Sequence, residues 1–155
     1  DVYKRQTEYG EGKTLKAIDE MLGRLQLDYF DLLYVHQPVG DFVGAWKDME
    51  KAVAMGKVRV LGISNFDASD EVFDKIMRES VVKPAVLQME CHPYAQRLAM
   101  REKAKRYGIY VTSWFPLGGA MSKGALLKEE RFFNMSLEEK ERAYLGNMQI
   151  PAERK

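Results

Sequence analysis

"DLLYVHQP", residues 31–38, is an apolar run that stops abruptly at an imidazole, an amide and a proline. Leu32 to Val35 read as a strand covered on both faces, because strands of parallel sheets are near-continuously hydrophobic. Pro38 cannot donate to a ladder, so the strand has to end there. His36 and Gln37 are thereby delivered, as a polar pair, at the carboxyl end of a core element.

Helical patterns flank this strand. In "TLKAIDEMLGRLQL" (14–27), Leu15, Ile18, Leu22 and Leu25 recur on one face. Phe42, Trp46, Met49 and Val53 mark a second helix, with Gly56 placed as its left-handed terminator. "KVRVLGISNF" (57–66) is the next strand. Asp67 or Ser69 is positioned to cap a third helix whose buried side carries Val72, Phe73, Ile76 and Met77. "KPAVLQMECHP" (83–93) is a strand entered through Pro84, and a less regular helix runs on to about Tyr107, where Gly108 stops it. "IYVTSWFPLG" (109–118) is the fourth strand. Strands separated by helices must run parallel.

Each strand ends in groups with chemistry: His36, then Ser64 and Asn65, then Gln88 and Glu90, then Trp114. These ends recur about 25 residues apart, close to the length of one strand–helix unit. Functional groups gathered at the carboxyl ends of successive parallel strands characterise the (β/α)₈ (TIM) barrel. A doubly wound sheet is the alternative, but no G-x-G-x-x-G loop is present. A full barrel takes about 250 residues, whereas this chain has 155. The expected fold is therefore α/β, a partial barrel of about four parallel units, followed by a C-terminal helical tail.

Composition fits a globular domain, with 46% hydrophobic and 30% charged residues. A formal net charge of +1 gives no general attraction to nucleic acid or anionic membranes. A single cysteine, Cys91, cannot close an internal disulfide, which fits a reducing compartment, and cytoplasm is the expected location. No apolar run approaches membrane-spanning length. Cys91 and His92 are neighbours on a strand and point to opposite faces, so they do not form a dyad. One cysteine and two histidines are too few for a typical structural zinc site, and no metal is expected.

"LDYFDLLYVHQP", "GKVRVLGISNF", "PAVLQMECHPY" and "GIYVTSWFPLG" together resemble consecutive segments of an aldo-keto reductase. The resemblance runs from about Glu8 to Gly119, and "HQP" in place of "HWP" is similar to bacterial members. It implies a (β/α)₈ carbonyl reductase using NADPH, with NADH possible, acting on a small-molecule aldehyde or ketone. His36 matches the family's catalytic histidine, which orients the carbonyl. The family's Asp, Tyr and Lys partners come from earlier units that have no counterpart in this chain. Tyr29 and Tyr34 lie in the strand region and are assigned to core packing instead.

The resemblance implies that Ser64, Asn65 and Gln88 bind the nicotinamide carboxamide and that Trp114 stacks on its ring. Phe115 stands where a serine is common in the cofactor loop, and Leu117 falls along the pyrophosphate region. Gln37 replaces a substrate-facing tryptophan of many members, giving a more polar pocket wall. Each of these has a plainer reading: Ser64 and Asn65 suit any turn, and Trp114 suits a core. Gln88, amid "AVLQME", is harder to explain without a polar partner.

The opening "DVYKRQ" matches a reading frame of a transposase end sequence used in sequencing libraries, so residues 1–6 are expected to be adapter-derived. Residues 7–119 form the partial barrel. In the family two further strand–helix units that grip the adenosine phosphate follow Gly119; here "LLKEERFFNMSLEEKERAYLGN" resembles the tail that follows the barrel in some bacterial members, so an internal deletion or misjoin is expected between Gly119 and about Leu127. Residues 120–155 would comprise this junction and tail, in which Ser136 and Glu139 form a capping signal. The reading that follows is a reductase fragment that is inactive alone, from a parent expected to be monomeric. Its rival is a non-catalytic nicotinamide-nucleotide-binding module of the same fold. Unpaired sheet edges would make the fragment prone to self-association.

Overall fold

The computed structural model describes residues 9–92 and 95–116, together with the backbone of Val2–Lys4. The alternating pattern becomes β1 (Val2–Lys4), α1 (Lys13–Leu25), β2 (Phe30–Val35), α2 (Phe42–Ala54), β3 (Val58–Ser64), α3 (Asp70–Glu79), β4 (Val86–Glu90), α4 (Leu98–Arg106) and β5 (Tyr110–Trp114). The strands lie in one sheet in chain order, and the β1–β2, β2–β3 and β3–β4 pairs are parallel. Neighbouring strands joined by a helix, each adjacent to the last, are the repeating unit of a (β/α)₈ barrel. The chain divides into two compact units, Asp1–Met89 with Met100–Thr112, and Glu90–Ala99 with Ser113–Lys155.

In the first unit, alternation along the strands sorts the side chains onto two faces. Leu33, Val35, Leu61, Ile63, Leu87 and Met89 are all buried and join Ile18, Trp46, Met49, Phe73 and Ile76 of the helices in one core. On the opposite face stand Tyr34, Gly62 and Val86, which are register partners. Tyr34 is 1% exposed, and its ring lies directly over Gly62. A Cβ there would come within 2.6 Å of the ring.

Helix ends follow the sequence signals closely. The Ser69 hydroxyl accepts the Val72 N–H at the start of α3, and Asp67 instead sits in the short 3₁₀ turn Phe66–Ala68. Asp41 caps α2, accepting the Gly44 N–H at 2.9 Å. Gly56 (φ +73°) ends α2 in the left-handed region, where a side chain would be strained. The first turn of α1 is closed by a side chain from another helix: Asp48 of α2, itself buried, accepts the Leu15 N–H at 3.0 Å. Glu50 of α2 accepts the N–H groups of Val81 and Val82 and the Trp46 indole N–H, tying the α3–β4 loop to α2.

Three features depart from the sequence reading. Val2–Lys4 pairs in parallel with Leu33–Val35 and forms a fifth strand at the sheet edge, although residues 1–6 were given no part in the fold. A backbone ladder needs only N–H and C=O groups, so this pairing is indifferent to where those residues come from. The buried stripe of α1 is Thr14, Ala17, Ile18, Met21 and Leu22, whereas Leu25 is 54% exposed. Leu25 falls in the last turn, where left-handed Gln26 redirects the chain away from the packed face. Tyr29 precedes β2 rather than lying within it, and Arg59 stacks over its ring at 3.8 Å while pairing with Asp31.

Candidate functional site

His36, Ser64 and Gln88 stand level with one another across β2, β3 and β4. Ser64 and Gln88 are direct register partners, and His36 follows Val35, whose partner Ile63 precedes Ser64. Register partners share a face, so Ser64 and Gln88 continue the row of Tyr34, Gly62 and Val86, not the helix-packed row, and His36 follows directly on the end of β2. Two of the sequence-predicted site residues, Ser64 and Gln88, are thus brought together by strand register.

Asn65 ties this row together. Its φ of +62° is left-handed, a region that Asn tolerates better than most residues. In that conformation its backbone N–H donates to the Gln88 carbonyl at 2.9 Å. Its side-chain Nδ2 donates to the His36 carbonyl at 2.9 Å and to the Ser64 hydroxyl at 3.1 Å. Ser64 is buried, Asn65 and Gln88 are half-buried, and His36 is exposed. The exposed His36 thus adjoins, through its backbone, a recessed set of hydroxyl and amide groups.

A residue with no sequence signal completes the His36 end. Tyr9, ahead of α1 and 5% exposed, accepts the His36 N–H at 2.9 Å and the Gln37 N–H at 3.1 Å on its single phenolic oxygen. Nothing in the spacing of Tyr9 marks it, because the contact joins a side chain to backbone 27 residues away. Gln37 is half-buried, next to the turn in which the Val39 N–H donates to the Gln37 carbonyl.

In the second unit, Trp114 packs edge-on against Phe115, with ring centroids 4.7 Å apart. Phe115 has φ +52°, an uncommon conformation for a bulky side chain. Glu90 pairs with His92 at 3.0 Å and faces Arg97 at 3.6 Å. The Cys91 thiol donates instead to the Gln96 carbonyl at 3.7 Å, so thiol and imidazole do not form a dyad. Among the described residues no His, Cys, Asp or Glu cluster is arranged to hold a metal ion. No described helix is long and apolar enough to cross a membrane. Leu117, the expected junction and the capping signal at Ser136 lie outside the described residues.

The chain belongs to the aldo/keto reductase family, whose profile matches residues 2–154. It is similar to the morphine 6-dehydrogenase of Pseudomonas putida, 39% identical over 120 residues that make up 76% of this chain and 40% of that protein. It is also similar to the glyoxal reductase of Bacillus subtilis, 36% identical over 122 residues, 78% of this chain and 42% of the relative. Among solved structures, a Gox0644 mutant in complex with NADPH superposes with a TM-score of 0.76 at 34% identity, covering 84% of this chain and 47% of that one. The chain thus spans about two-fifths of the length of the curated relatives it matches.

Proposed function

We propose that this chain is the histidine-bearing portion of an NADPH-dependent carbonyl reductase. The observation that carries the reading is the level row of His36, Ser64 and Gln88, joined through the backbone and side chain of Asn65. Named relatives support the reaction class, since one is a glyoxal reductase and another a morphine 6-dehydrogenase. NADPH as cofactor is supported by its presence in the Gox0644 complex.

The donor set suits a nicotinamide nucleotide. A carboxamide presents one acceptor and two donors, and a hydroxyl beside two amides can answer both kinds of group. Ser64, Asn65 and Gln88 would hold that carboxamide, and the family resemblance assigns Trp114, Phe115 and Leu117 to the same nucleotide. When bound, the nucleotide supplies a hydride for a carbonyl carbon. His36 would donate an imidazole N–H to the carbonyl oxygen and fix its direction, while Gln37 offers a polar wall to the substrate.

Reduction also needs a proton on the oxygen, and a general acid must have a pKa matched to that task. Among the tyrosines whose side chains are described near this row, none fits. Tyr9 Oη is engaged with two backbone N–H groups, Tyr34 lies over Gly62, and Tyr29 stacks under Arg59. The isolated chain is therefore expected to be catalytically silent.

Two measurements test this. The 155-residue chain, given NADPH and glyoxal, is expected to show no enzyme-like loss of nicotinamide absorbance, and turnover would overturn the inactivity. Restoring the missing barrel units from the Bacillus subtilis relative, both ahead of Glu8 and after Gly119, is expected to give aldehyde reduction that His36→Ala lowers at least about a hundredfold. Wild-type rates in that variant would remove His36 from the reaction. Tight NADPH binding by a chimera that never turns over would favour the non-catalytic binding module instead.

A further inference from the structure

The backbone of His36 is gripped on both sides by side chains that are remote in sequence. Its N–H, together with that of Gln37, is taken by the Tyr9 phenolic oxygen. Its carbonyl receives Nδ2 of Asn65. Two successive N–H groups converging on one oxygen end the strand, because neither remains available to the ladder. The peptide plane that carries the imidazole thus leaves β2 at an angle set by Tyr9 and Asn65.

This grip concerns where the imidazole stands, not the reacting atoms. We infer that Tyr9 is a positioning residue for His36: its phenolic oxygen fixes the His36–Gln37 backbone so that the imidazole is presented at the strand end in one orientation. The inference rests on the reading of His36 as the carbonyl-orienting group. A side chain that must meet a substrate oxygen gains from such pre-organisation, since a displacement of about 1 Å costs on the order of a hundredfold in rate. Phenylalanine at position 9 would keep the buried ring and delete the hydroxyl, leaving the two N–H groups without that acceptor.

The test needs no ligand. The chain has two histidines, His36 and His92, so ring-labelled histidine gives two resolvable NMR signals. In Y9F, the three-bond couplings of His36 are expected to collapse toward rotamer averaging while those of His92 hold. Amide exchange at His36 and Gln37 is expected to rise about tenfold or more, as befits loss of a hydrogen bond. Ile18→Val, a core change remote from residue 36, serves as a control for a comparable loss of stability and is expected to leave the His36 couplings alone. An unchanged His36 rotamer in Y9F, or an equal change in I18V, would overturn the inference. Should Y9F not fold, wild-type exchange decides: protection of both amides at the level of Val35 supports the grip, and free exchange defeats it. Because neither nucleotide nor carbonyl is added, failure here is separable from failure of the reductase reading.

Discussion

Replacing Gly62 with alanine gives a result whose sign depends on a single ring. Gly62 has no positive φ, so an alanine there suffers no backbone strain. By loss of unfolded-state freedom alone it would stabilise the protein by about 0.4–1 kcal/mol. The new Cβ, however, would stand 2.6 Å, 2.7 Å and 3.2 Å from three carbons of the Tyr34 ring. Carbon pairs prefer separations of about 3.5–4.0 Å, so the ring must withdraw by roughly 1 Å. At 1% exposure Tyr34 has no solvent to withdraw into. Overpacking of this kind costs about 1–3 kcal/mol. The expected outcome is a net loss near 1–2 kcal/mol, or a fall in Tm of about 2–8 °C for a chain of this size. In a Tyr34→Leu background the obstacle is gone, and the same substitution should turn neutral or stabilising. Urea unfolding of the four proteins of the cycle measures the coupling, and unchanged m-values would confirm that only stability moved. An equal effect of Gly62→Ala in both backgrounds would refute the claim that ring contact dictates glycine here.

Two further outcomes follow from the described contacts. Asp48→Ala strands the Leu15 N–H in the first turn of α1 and is expected to cost about 1–3 kcal/mol in urea unfolding; a loss below 0.5 kcal/mol would mean that water replaces the carboxylate. Burial pulls the Lys103 ammonium down, but hydrogen bonds to Asp70 and Asp74 outweigh it, so its pKa lies above the ordinary 10.5. A raised folded value stabilises fully below pH 10.5 and is lost as pH rises through that value. The Tm gap between wild type and Asp74→Asn, about 1–3 °C near neutrality, should therefore shrink only on the alkaline side; a gap that closes toward acid pH instead, above the carboxylate range, would contradict it.

Local chemistry explains which parts of the molecule could be read from the sequence. Gly56 and Ser69 act within four residues of themselves, so turn and cap signals locate the helix ends. Phe42, Trp46 and Met49 announce α2 because one helix face meets one core. His36, Ser64, Asn65 and Gln88 were legible as strand-end polar groups, since a buried run that ends in such residues needs a reason. Tyr9 was not, and neither was the Asp48 cap on α1. Both join a side chain of one element to the backbone of another, and the only trace in sequence is an ordinary tyrosine and an ordinary aspartate. Leu25 misled for a related reason: helical spacing shows which residues share a stripe but not where the neighbouring surface ends. Tyr29 misled because aromatic character alone does not distinguish a core ring from one stacked under a guanidinium.

Asn65 spans three strand ends with one residue, its N–H on β4 and its amide on the peptide that carries His36. On the reductase reading, the seat of the nicotinamide and the support of the substrate-orienting imidazole are then mechanically the same object. Mutational drift that loosened the first would also tilt the second, so cofactor grip and substrate geometry could not be tuned separately at this position. Any adjustment of cofactor preference would have to come from elsewhere in the barrel.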